Sequence, residues 1–151
     1  MKTIMRIGVV TILVGCFFWL QGSSAQAAPY QRYQNGSCGS LVCAIDFPKV
    51  PAGKRLVLSN TSCYLRVSNA ADLLAMQLFV LNNVGGFVSA QTLTPQFVDS
   101  ITTPAERVYS ATHVVFAFAN AGQRFQAYTE LKQGTFAQLA CHISGDLQDV
   151  P

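Results

Sequence analysis

Residues 124–131, Arg124-Phe125-Gln126-Ala127-Tyr128-Thr129-Glu130-Leu131, decide the fold class of this chain. Phe125, Ala127 and Leu131 fall on one side of a period of two, against Arg124, Gln126, Tyr128 and Glu130 on the other. That alternation describes a half-buried strand with one wet face. Residues 137–147 repeat it, with Leu139, Cys141, Ile143 and Leu147 opposing Gln138, His142, Ser144 and Asp146.

Working outward, turn-forming clusters recur about every ten residues: 51–53, 60–62, 69–72, 82–86, 94–95, 103–104, 120–122 and 132–135. This spacing predicts a meander of short strands. Residues 73–81 and 114–119 are nearly continuous in apolar side chains, and both are predicted as strands covered on both sides. In residues 73–81 the Leu, Ala, Met and Gln favour helix, but no polar stripe appears at helical spacing, which favours strand. About eight or nine strands result. The predicted fold is all-β, a two-layer antiparallel β-sandwich or jelly roll.

The first 27 residues read as an export leader. Lys2 and Arg6 precede an apolar run over residues 7–20, and Ala25-Gln26-Ala27 offers a cleavage site before Ala28. The run is shorter than the roughly 20 residues a membrane-crossing helix needs. Leu13-Val14-Gly15-Cys16 resembles a lipoprotein signal, but Phe17-Phe18-Trp19-Leu20 stays apolar beyond the cysteine, which favours a plain cleaved leader. The expected layout is a signal peptide over 1–27, a polar lead-in over 28–37 and a single sandwich domain over 38–151, in a periplasmic or secreted protein.

Without Lys2 and Arg6, eight basic residues face seven acidic ones. So small an excess leaves no basic face for nucleic acid. Four cysteines follow the leader, Cys38, Cys43, Cys63 and Cys141, and an even count in an exported chain favours disulfides over thiol catalysis or zinc. As strand residues, Cys63 lies on the side of Leu65 and Val67, and Cys141 on the side of Leu139 and Ile143, so both thiols face the core. Cys38 and Cys43 flank a short Gly-Ser segment. The expected pairs are Cys63 with Cys141 and Cys38 with Cys43.

Residues 47–58 (FPKVPAGKRLVL), followed by Cys63 and the closing stretch 141–147 (CHISGDL), resemble small uncharacterised exported bacterial proteins. The similarity implies export and a β-sandwich, and it implies no activity.

Chemistry-bearing patterns are sparse. His113 and His142 sit in no metal-ligand spacing, and His142 is expected to point outward beside inward Cys141, so neither a metal nor a cofactor is expected. There is no G-x-S-x-G elbow, and no catalytic residue is assigned. Gly85-Gly86 reads as a hairpin loop and not as a phosphate cradle. The sequons at Asn35-Gly36-Ser37 and Asn60-Thr61-Ser62 read as turns. The candidate ligand-binding residues are Tyr64, Arg66, Arg124, Gln126 and Tyr128, outward-facing aromatic and planar polar groups suited to a sugar or peptide. Loops 82–86 and 96–106 are alternatives. The expected function is non-catalytic binding or assembly at the cell envelope or outside the cell, with a glycan or envelope protein as partner and a homo-oligomer allowed. The rival is a small exported hydrolase acting on a glycan or peptide.

Overall fold

The computed structural model describes residues 27–38, 40–68, 71–99 and 106–150. They form β1 (Ala28–Gly36), β2 (Val42–Asp46), β3 (Lys54–Ser68), β4 (Asp72–Leu81), β5 (Phe87–Thr92), β6 (Gln96–Asp99), β7 (Glu106–Asn120), β8 (Arg124–Gln133) and β9 (Phe136–Asp149). The expected leader up to residue 26, with Cys16, lies outside the described residues. No helix among them is long and apolar enough to cross a membrane.

Two antiparallel sheets face each other, in the strand orders β1-β9-β3-β7-β6 and β2-β8-β4-β5. The connectivity is a nested hairpin. β4 pairs with β5, β3 with β7, β2 with β8 and β1 with β9, and rolling that hairpin adds the β3–β9 and β4–β8 ladders. This is a jelly-roll-like sandwich, with β6 added beside β7. The expected meander is not what forms. β8 and β9 are consecutive yet lie in different sheets, because each hairpin arm must cross between layers for both to bury an apolar face.

Alternation settles which side chains enter the core. In the five-stranded sheet Leu56, Leu58, Cys63, Leu65, Val67, Leu139, Cys141 and Ile143 point inward, and Phe125, Ala127 and Leu131 of β8 meet them from the other layer. Both expected disulfides are present. Cys63 and Cys141 stand directly opposite each other on β3 and β9, with their Cα atoms 4.1 Å apart. Cys38–Cys43 ties the end of β1 to β2.

Four expectations need correction. Residues 28–37 are not a lead-in: residues 28–36 form β1, a sheet-edge strand whose polar composition reflects its open edge and wet face, while Tyr30 packs partly buried against the core. Neither sequon is a turn: Asn35 and Gly36 pair with β9 as the end of β1, and β3 runs through Asn60-Thr61-Ser62 with a β-bulge between Leu58 and Asn60. Residues 114–119 are not covered on both sides: Val114, Phe116 and Phe118 are exposed. Residues 73–81 do form a strand within β4, with Met76, Leu78 and Val80 buried, but it too is covered on one side only, since Leu74 is exposed.

Candidate ligand-binding trough

The inward commitment of Leu139, Cys141 and Ile143 obliges Gln138, Ala140 and His142 to emerge on the outer face of the five-stranded sheet. Register then supplies their neighbours. Ala140 lies between Asn35 of β1 and Tyr64 of β3, and His142 lies between Tyr33 and Ser62. Gln138 faces Arg66 across the β3–β9 ladder. Since Ala140 offers only a methyl group, the surface dips there while the larger side chains stand around it. The result is a trough of about 340 Å³ lined by Tyr33, Ser62, Cys63, Tyr64, Gln138, Ala140 and His142.

The walls are aromatic, Ala140 forms the floor, and Ser62, Gln138 and His142 supply the polar lining. Tyr33 is 58% exposed, so its ring stands clear of the sheet, and Asn35 Nδ2 donates to its hydroxyl at 3.3 Å. Ser62 Oγ lies 3.0 Å from Thr112 Oγ1 on the next strand. No carboxylate, lysine or arginine lines the trough. Arg66, opposite Gln138, donates through both Nε (3.1 Å) and an Nη to Glu106. That hydrogen bond and the Glu106 charge hold the guanidinium above its ordinary pKa, so its charge is already matched. Directly beneath the floor, the Cys63–Cys141 bridge locks β3 to β9.

Tyr64 is therefore the predicted residue that lines this trough, with Arg66 one row away. Arg124, Gln126 and Tyr128 lie on β8, on the opposite outer face of the sandwich, and the five do not converge. The groups on β8 are engaged with one another and with neighbouring strands. Gln126 Nε2 donates to Asp46 Oδ1 at 2.8 Å, Arg124 Nε stands 3.1 Å from Asp46 Oδ2, and Tyr128 donates to Glu130 at 3.2 Å. Tyr128 stacks on Phe79 with centroids 5.0 Å apart, and Phe79 meets Phe87 edge to face at 5.6 Å. Burial first, and then the Glu130 carboxylate, push the Tyr128 phenol upward in pKa.

The other candidates make the following contacts. In the 82–86 turn Asn82 Oδ1 accepts from the backbone N–H groups of Val84 and Gly86, the usual work of a turn asparagine. His113 lies within β7, and the Thr94 N–H donates to its Nε2 at 2.9 Å. Part of the 96–106 loop forms β6, and residues 100–105 lie outside the described residues. Among the described residues no three of His, Cys, Asp and Glu gather as a metal site.

No protein-family model and no curated protein sequence matches this chain. Among solved structures it is similar to the T=1 particles derived from infectious bursal virus, at 11% identity and a TM-score of 0.29. That match covers 98% of this chain and 45% of the other. The VP2 subviral particle of infectious bursal disease virus gives 12% identity and a TM-score of 0.29, over 98% and 47% of the two chains. This chain thus spans less than half the length of either viral chain, and nothing about its function is drawn from so loose a likeness.

Proposed function

We propose that this chain is an exported, non-catalytic β-sandwich that binds a neutral saccharide in the trough over Ala140. The carrying observation is the lining itself: two tyrosines around a methyl floor, ringed by amide, hydroxyl and imidazole groups, with no charged side chain. A sugar ring offers an apolar face to an aromatic wall, while its hydroxyls need planar and hydroxylic partners such as Gln138 and Ser62. An anionic ligand finds no free cation in the lining, since Arg66 is matched by Glu106. Two disulfides and the leader suit work in an oxidising compartment outside the cytoplasm.

The sole tryptophan of the chain, Trp19, belongs to the leader, so tyrosine emission reports on the processed domain without interference. Titration with neutral oligosaccharides, followed by tyrosine fluorescence and by amide chemical shifts, is expected to move Tyr33, Tyr64 and His142. Tyr64→Ala, or Ala140→Leu to fill the floor, is expected to weaken binding about tenfold, equivalent to about 1.4 kcal/mol. Shifts confined to the β8 face, or equal affinity for polyanionic sugars, would overturn the assignment.

A further inference from the structure

Beside the trough, the five-stranded sheet carries a second hollow. It measures about 210 Å³ and lies where β6 meets β7, lined by Thr94, Gln96, Ser110, Thr112 and His113. Alternation puts it next to the trough. Cys63 and Ala111 face each other across the β3–β7 ladder and are both buried, so Ser62, Tyr64, Ser110 and Thr112 turn outward around them.

Register joins the two hollows. One row of paired residues runs Asn35, Ala140, Tyr64, Ser110 and Gln96, one from each strand of the sheet in its spatial order. The row beside it runs Tyr33, His142, Ser62 and Thr112. Where the trough passes into the second hollow, the Ser62 and Thr112 hydroxyls lie 3.0 Å apart. Neither row contains Lys, Arg, Asp or Glu. The outer face of the other sheet differs, with Asp46, Arg124 and Glu130 engaged across it.

The second hollow matches the trough in chemistry but not in its walls. Three hydroxyls, a carboxamide and an imidazole line it, and no aromatic ring of Tyr or Phe does. The Thr94 N–H, donating to His113 Nε2 at 2.9 Å, holds that imidazole in place. Such a set offers donors and acceptors to the hydroxyls of a sugar and no charge to an ion.

We propose that the second hollow takes further rings of the saccharide that occupies the trough, with the sugar chain lying across the strands. This rests on the reading of the trough as a neutral-saccharide site. Five strands spaced ~4.8 Å apart make a stripe roughly 19 Å long, a span that a mono- or disaccharide does not cover. The ligand is therefore a neutral oligosaccharide or a stretch of polysaccharide. Tyr33 and Tyr64 stack on ring faces and anchor one end, while the hydroxyl and amide groups at β6 and β7 recognise the length of the other.

Amide chemical shifts of the disulfide-oxidised chain test this, with neutral glucose, mannose and N-acetylglucosamine oligomers added in series from disaccharide to hexasaccharide. Disaccharides of the series that binds are expected to move Tyr33, Tyr64 and His142. Its longer members are expected to move Ser110, Thr112 and His113 as well, with affinity rising at least tenfold along the series. Gln96→Ala combined with Thr94→Val, both at exposed positions away from the trough, is expected to weaken hexasaccharide binding about tenfold and leave disaccharide binding unchanged. Shifts that stay within the trough at every length, or an affinity independent of length, overturn this inference and leave the trough as a site for one or two rings. Silence at Tyr33, Tyr64 and His142 in all three series overturns the reading beneath it too, so the two failures are distinct.

Discussion

Ala140 shows how a single side chain shapes this molecule: a methyl group among tyrosines makes a trough where a larger residue would leave a flat sheet. The tyrosines also set an alkaline limit to stability. Burial is the first cause of the raised pKa of both Tyr30 and Tyr128; Arg32 opposes it at Tyr30, and Glu130 reinforces it at Tyr128. A folded-state value above the unfolded one favours the folded state below about pH 10, the ordinary tyrosine value, and that advantage is lost as pH rises through the folded value. Denaturant melts at pH 8 and pH 11 are expected to show an alkaline loss that Tyr128→Phe reduces. An identical loss in the variant would place its origin elsewhere. His142, Gln138 and Ala140 were legible as outward-facing, since alternation around Cys141 dictates it. That Tyr33 and Tyr64 flank them was not legible, because cross-strand neighbours follow from register, which one strand's sequence does not encode.

Among the elements, β9 runs against β3 where β3 bulges between Leu58 and Asn60. Gly145 faces Leu58 there, and a Cβ on it would lie 2.0 Å from the Val57 carbonyl oxygen, a backbone atom that cannot move alone. Gly145→Ala is expected to cost about 3 kcal/mol in a urea melt, at the upper end of ordinary overpacking. A cost under ~1 kcal/mol, the scale of a routine glycine replacement, would show that the bulge relaxes freely. The same bulge explains why 60–62 reads as a turn. Asn, Thr and Ser are turn residues by local propensity, yet Thr61 is fully buried and strand pairing on both sides overrides that preference. In β7 the opposite failure occurs. An apolar run normally means burial on both faces, but in a two-layer sandwich no layer covers the outer face of β7, which leaves Val114, Phe116 and Phe118 in solvent.

For the whole molecule, the two bridges differ in what they enclose. Cys63–Cys141 spans a sequence separation of 78 and Cys38–Cys43 one of 5. In the chain-entropy model the first contributes about 4–5 kcal/mol and the second about 2. Cys141→Ser is therefore expected to lower the unfolding midpoint about twice as far as Cys38→Ser, and equal shifts would contradict the model. The nested hairpin also dictates an order of events as the chain emerges from its N-terminal end. β9, the last of the nine strands, is the one that lies between β1 and β3. Three of the four disulfide-forming cysteines therefore emerge while nothing joins β1 to the rest of the five-stranded sheet. Cys38 and Cys43 meet as near neighbours, but Cys63 must wait, unpaired and open to a wrong partner, until Cys141 arrives. An N-terminal fragment stalled before residue 136 has no native way to shelter β1 or to occupy that thiol, which makes oxidative quality control a question of timing as much as of redox potential.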